Sequence, residues 1–382
     1  MSERVAVVGI SQVGYASAIT DRTLEELIFE AATGALADAR LAWGELDAVV
    51  IGASDLVDGR VISSMVTAPP AGGYMKDLLA VASSAEHAFV LAYLRLAAGL
   101  GDTALVAGWS KCSEAPIPQV ERLSLDPFYR RHVGMDGLVA AALQAGAYRD
   151  RYRVPDEAAA RVVVKNRASG ARNPHAERRQ PVTAHDVLAS PVVAWPLKAL
   201  ETPPLSDGAC ALVLARGARA AALRRPAARV SGLGWASETY WREPEDLVSS
   251  RALAAATERA YRMAGITAPR REIDVAEVYD VTPYHELMAY EGLDFCDAGE
   301  GARFTGNDTV AVNPSGGLLC ANPFFASGLV RIAEAALQVT GRAGGRQVPG
   351  ARRAVAHGAS GLAGQAHTVV VLEGESPTLT EA

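Results

Sequence analysis

Short apolar runs alternate with alanine-rich stretches along this chain, and the same order occurs twice. Near the start, Val5-Ala-Val-Val-Gly9-Ile10 reads as a strand, residues 24–40 as a helix, and Glu45-Leu-Asp47-Ala-Val-Val-Ile-Gly52 as a second strand. After Pro226 the order returns as Ala228-Arg-Val230-Ser-Gly232-Leu-Gly234, a helix over 249–264, then Glu272-Ile-Asp274-Val-Ala-Glu277-Val-Tyr279-Asp280. Each repeat closes on a similar apolar run, Ala209-Cys-Ala-Leu-Val-Leu214 and His367-Thr-Val-Val-Val-Leu372. A long-period repeat of β-α-β units predicts an α/β fold in two halves. It also predicts a site between the halves, where equivalent loops meet.

Residues 86–99 are apolar on nearly every side and lead into the strand Thr103-Ala-Leu-Val-Ala107. A sheet covered on both faces explains why neither element alternates cleanly. Residues 112–205 are richer in Arg, Pro and Tyr, with helical stretches at 134–153 and 156–171. They read as an insertion built on the first half and capping the site. The expected division is therefore 1–225 and 226–382, crossing at 216–229, with glycine-rich turns at 313–317, 341–345 and 358–364.

Composition narrows the class. The 382 residues are 49% hydrophobic and 21% charged, with a net charge of -6, which leaves no basic footprint for nucleic acid. The apolar stretch 88–100 is broken by Arg95 and is too short for a membrane span. The first residues lack the regions of a signal peptide, so a cytoplasmic location is expected. Cys112, Cys210, Cys296 and Cys320 are scattered without zinc-ligand spacing and read as free thiols.

Several motifs converge on one family. They are Lys165-Asn166-Arg167, Asn173-Pro174, Ser190-Pro191 and Ser206-Asp207-Gly208-Ala209 in the first half. In the second they are Glu277-Val-Tyr279-Asp280, Asn313-Pro314-Ser315-Gly316-Gly317 and His357-Gly358. In this order, over roughly residues 4–374, the chain resembles the thiolase superfamily in its sterol-carrier-protein-x or lipid-transfer branch. The resemblance implies a five-layered α-β-α-β-α sandwich of two duplicated β-α-β-α-β halves. It implies a coenzyme A thioester as substrate, no bound cofactor, a homodimer, and in this branch a small OB-fold/zinc-ribbon partner protein.

The family's proton-handling residues are not matched. Its nucleophilic cysteine stands before the buried helix, where this chain has Val81-Ala82-Ser83-Ser84-Ala85-Glu86. Its Gly-His-Pro histidine aligns with Asn322 in Cys320-Ala321-Asn322-Pro323, and its second cysteine is absent after Tyr279-Asp280. The pattern is similar to that of the thiolase-like aldolases, which lack the nucleophile, carry a Tyr-Asp pair here, and cleave β-hydroxyacyl-CoA by retro-aldol reaction. The second active-site tyrosine of those enzymes is unmatched, with Phe324 and Phe325 in its place.

Candidate catalytic groups are then Tyr279, His357 and Asn322. A phenol can donate to an oxyanion or, with a lowered pKa, take the proton of an alcohol. Imidazole suits acid/base work near neutrality. Asparagine donates a hydrogen bond but accepts no proton. Ser83 or Ser84 is either a helix cap or a nucleophile served by His87, and Cys320 is either a displaced nucleophile or a small buried residue. The resemblance assigns substrate contacts to Ser84, Ser315, Gly316 and Gly358. Three functions remain open: Cys-independent C–C cleavage or formation, acyl transfer from a relocated nucleophile, and non-catalytic binding of CoA esters.

Overall fold

In the computed structural model, which describes residues 4–240, 242, 247–306 and 309–375, the two repeats build a single sheet. The first supplies β1 (Val5–Gln12), β2 (Ala48–Gly52), β3 (Asp77–Val81), β4 (Thr103–Ser110) and β5 (Gly208–Arg216). The second supplies β6 (Ala227–Ser237), β7 (Val275–Glu277), β8 (Ala311–Val312), β9 (Arg353–Ser360) and β10 (Ala366–Glu375). The order is β8-β7-β9-β10-β6-β1-β5-β4-β2-β3, so outward from the middle both repeats follow the same sequence of strands. Pairing senses match as well: β1/β5 and β5/β4 are antiparallel with β2 parallel to β4 and β3, as are β6/β10, β10/β9, and β7 with β9 and β8. Only Ala6↔Arg229 and Val7↔Ala228 join the halves across β1 and β6.

Strand alternation sorts side chains into layers. Ala6 and Val8 of β1 face α1 (Leu24–Ala39), whereas Val5 and Val7 face the interior with α2 (Ala85–Ala97). Across that interior α2 meets α7 (Ser327–Val339), which is buried on nearly every side. Beyond the second half of the sheet lie α5 (Arg251–Ala264) and α6 (Pro283–Gly292). The layers are thus helix, sheet, helices, sheet, helix, with α2 and α7 at the centre. Local chemistry sets the ends. Thr23 and Glu26 form a capping box at α1, and Ser250 caps α5 through the Leu253 amide.

The insertion is divided between the halves, with Ile117 packed against Val57 of the first. Its helices α3 (Gly137–Tyr152) and α4 (Asp156–Gly170) pack with α6 in the outer core of the second half rather than on the first. Among the described residues no helix is long and apolar enough to cross a membrane.

Candidate active site

The site lies where the N-termini of α2 and α7 meet the ends of β7 and β9. Tyr279 stands two residues beyond β7, in a segment pinned from three sides. Val278 N–H donates to Asn313 Oδ1 (2.8 Å), Tyr279 N–H to His357 Nδ1 (3.4 Å), and Leu318 N–H to Asp280 Oδ1 (2.6 Å). Gly317 (φ +64°) abuts the Asp280 carboxylate, where a Cβ would overlap its oxygens. This clamp fixes the backbone and leaves the half-buried Tyr279 side chain free: among the described residues nothing hydrogen-bonds its hydroxyl. Burial raises the phenol's pKa first, and the charges of Glu86 and Glu121 add to it, so Tyr279 stays protonated near neutrality.

His357 and Gly358 lie within β9, not in the glycine-rich turn expected from the sequence. His357 Nε2 is 2.9 Å from His367 Nδ1 on the neighbouring strand, and the rings stack at 5.1 Å between centroids. Burial, with the neighbouring His367 and His285, holds His357 well below the ordinary imidazole range. It is therefore a neutral hydrogen-bonding group rather than a proton acceptor at pH 7.

The start of α2 departs from both sequence readings. Ser84 holds the N-cap position, but its hydroxyl caps no backbone amide and instead donates to Glu86 Oε1. Ser83 Oγ is 3.2 Å from His87 Nδ1, and Glu86 Oε1 approaches the same nitrogen at 3.9 Å. A relay to a nucleophile needs serine and carboxylate on opposite ring nitrogens. Both stand at one, and burial lowers the His87 pKa further, so Ser83 has no catalytic base of that kind.

Glu86 was not anticipated as a site residue. It is fully buried, and its Oε2 has no hydrogen-bond partner. Two glycines make room for it. A Cβ on Gly328, at the start of α7, would overlap Oε2, and one on Gly358 would stand 2.7 Å from Cγ. Burial pushes this carboxyl up to about 7, against the opposing pull of the Ser84 hydroxyl. A glutamate in the first turn of a helix is so ordinary that only the partners packed on it mark it out.

Asn322 accepts from Ser327 Oγ at its Oδ1 (2.7 Å), which orients the amide. The remaining sequence candidates are drawn into the scaffold. Ser315 donates to Glu277 (2.6 Å) and accepts from Arg331 (2.8 Å), so its buried hydroxyl is committed to holding α7 against β7. A Cβ on Gly316 would stand 2.7 Å from the Gly170 Cα, a packing contact rather than a ligand contact. Cys320 is fully buried, donates to the Asn166 carbonyl (3.3 Å), and has its thiol pushed up to about 12 by burial. That is no environment for a nucleophilic thiolate. Burial also raises Cys112, Cys210 and Cys296.

Among the described residues no cluster of His, Cys, Asp or Glu could hold a metal ion. A cleft of about 450 Å³, bordered by Lys165, Arg172 and Arg346, lies by the outer strand β8 and shares no residue with this site.

Comparison with known proteins agrees with this fold. The thiolase C-terminal domain-like family matches residues 235–373. An acetyl-CoA acetyltransferase of Methanothermobacter thermautotrophicus is 30% identical over 377 residues, covering 95% of this chain and 97% of that protein. Sterol carrier protein 2 of Bos taurus is 28% identical over 388 residues, covering 94% of this chain and 70% of its own length. A solved structure described as "Ltp2-ChsH2(DUF35) aldolase" shares the fold, with a TM-score of 0.84 at 22% identity over 98% of this chain and 99% of that one. The full-length relative, the matching C-terminal domain and the duplicated sheet lead to one conclusion: the chain belongs to the thiolase superfamily, in its sterol-carrier-protein branch.

Proposed function

We propose that this protein acts on an acyl-CoA thioester without a covalent acyl-enzyme, breaking or forming a C–C bond in the manner of a retro-aldolase on β-hydroxyacyl-CoA. One observation carries the reading. The N-terminus of α2, where a thiolase would present its nucleophile, offers Ala82-Ser83-Ser84 and no thiol, while the free phenol of Tyr279 stands beside it. Tyr279 Oη and the Asn322 amide would donate to the thioester oxygen as charge develops there, and neutral His357 would hold the Tyr279 backbone in place. The aldolase among the structural neighbours supports this reading.

The same neighbour is described with a DUF35 partner, which favours assembly of this chain with a small OB-fold/zinc-ribbon protein. A homodimer through β3 also fits. That edge strand leaves one side unpaired, and Tyr74 and Met75 beside it are 81% and 86% exposed.

A second reading, acyl transfer through a serine, draws on the Ser84–Glu86 hydrogen bond and on the acetyltransferase relative. Incubation with β-hydroxyacyl-CoA esters, with products separated by mass spectrometry and the intact protein weighed, distinguishes the two. Retro-aldol chemistry yields a shorter acyl-CoA plus a ketone or aldehyde and leaves the protein mass unchanged. An acyl adduct on Ser83 or Ser84 would overturn the proposal.

A further inference from the structure

Retro-aldol cleavage needs a proton acceptor at the β-hydroxyl, and the groups first considered for that task are unsuited to it. His357 and His367 are neutral and bound to each other. Tyr279 keeps its proton. Asp280 is committed to Asn166 (2.8 Å) and the Leu318 amide. Asn322 accepts no proton. A charged oxygen left unpaired in a protein interior is costly and is retained where it has a use. Glu86 Oε2 is such an atom, at the junction of α2, α7 and β9.

We infer that the Glu86 carboxylate is the group that takes the proton from the substrate's β-hydroxyl and returns it to the α-carbon, an assignment that rests on the retro-aldol reading above. Its two oxygens are already differentiated. Ser84 occupies Oε1, which leaves Oε2 as the basic atom. The surrounding elements bring little opposing charge. Gly328 of α7 and Gly358 of β9 contribute no side chain, and Arg331, one turn along α7, is paired with Glu277 (2.7 Å). The ionisable groups facing it are His87 on its own helix and Tyr279 beyond β7, with Glu121 also acting on Tyr279. A carboxyl poised at about 7 is matched to giving and taking a proton at neutral pH.

The step balances without a further reactant. Oε2 accepts the hydroxyl proton, and the freed O–H pair becomes the second bond of a carbonyl at the β-carbon. The Cα–Cβ bond breaks, and its electron pair passes to the α-carbon and thioester oxygen as an enolate. The enolate takes the same proton back from Glu86 at the α-carbon, releasing acyl-CoA and a ketone or aldehyde. By microscopic reversibility, Glu86 must also remove an α-proton from the product acyl-CoA.

The test compares wild type and Glu86→Gln in two reactions: cleavage of β-hydroxyacyl-CoA esters, and exchange of the α-hydrogens of saturated acyl-CoA esters in D₂O. Circular dichroism confirms folding of the variant, which keeps the shape and the Ser84 acceptor. The expected result is loss of about 10²-fold or more in both reactions, with the limb of the wild-type pH profile near 7 abolished. A folded variant that cleaves within about threefold of wild type overturns the role of Glu86 and leaves the lyase reading standing. Glu86-dependent exchange without cleavage supports the proton role and overturns the lyase reading. Absence of both reactions in the wild type overturns both.

Discussion

The backbone N–H of Tyr279 donates to Nδ1 of His357, which places the His357 proton on Nε2 and makes Nδ1 of His367 the next acceptor. The proton of His367 then lies on Nε2, which faces the backbone of Gly364. Protonating either ring breaks the chain, because each Nδ1 serves as an acceptor. Burial lowers His367 from an ordinary value near 6.5 to about 4. The unfolded chain therefore binds the proton first as pH falls. Stability from this ring is complete above about pH 6.5 and is lost as pH drops toward 4, by at most roughly 3 kcal/mol at about 1.4 kcal/mol per pKa unit. The urea midpoints at pH 7.5 and 5 should lie closer together in His367→Asn than in the wild type, with buried His357 still contributing part of the gap. An equal fall in both proteins would remove this ring as the cause.

Glu86 acts in the opposite sense. Its pKa is raised from an ordinary 4.5 to about 7, so the folded protein holds a proton that the unfolded chain has released. Its contribution is intact below about pH 4.5 and is lost as pH rises through 7, again by at most roughly 3 kcal/mol. Glu86→Gln is accordingly expected to be more stable than wild type at pH 8, with most of that advantage gone at pH 5. The same difference in urea midpoint at both pH values would contradict a buried, titrating carboxyl. Greater stability with lower turnover is the usual consequence of replacing a strained site residue.

The duplicated order of strands and helices was legible before the structure, because a doubly covered sheet writes its strands as apolar runs and repeats them. The position of Tyr279 near a strand end was legible for the same local reason. Glu86 was not. Its environment is made by Gly328 and Gly358, which are remote in sequence and mark the site only by lacking side chains. Ser315 was misread in the reverse direction. Its motif is real, but its hydroxyl faces Glu277 and Arg331 on the inner side of the turn. The Asn166–Asp280 bond places α4 against the second half, a long-range pairing that composition does not record.

Cys320 provides a negative control for the chemistry. Its thiol sits against Gly170 and Gly316 and is bonded to a carbonyl, out of reach of solvent. Cys320→Ala is expected to keep turnover within about twofold while costing roughly 1–2 kcal/mol in stability from lost packing and the lost hydrogen bond. Alkylation of the native protein should be slow at this residue. Rapid modification of Cys320 with loss of activity would restore it as a nucleophile.

The edge strand β3 is the other point where sequence and assembly meet. Its outer side carries unpaired backbone groups, and Leu78 is 36% exposed in a run with no charge after Asp77. An uncharged edge of this kind pairs readily with a second strand. Leu78→Lys is expected to shift a sedimenting dimer to a monomer without unfolding it. A wild-type protein that sediments as a monomer at micromolar concentration would remove β3 as a dimer surface.

Tyr279→Phe separates catalysis from architecture. Because the hydroxyl is bonded to nothing among the described residues, its removal should change stability by less than about 0.5 kcal/mol. The backbone clamp through Val278, Tyr279 and Leu318 uses no phenol atom and should persist unaltered. Turnover of a β-hydroxyacyl-CoA is expected to fall by about 10²-fold or more, with KM changed little, as for a donor that acts mainly when charge develops on the thioester oxygen. The loss should be the same from pH 6 to 9, because the phenol remains protonated throughout that range. A loss confined to high pH would instead identify Tyr279 as an ionising base, and unchanged turnover would remove it from the mechanism.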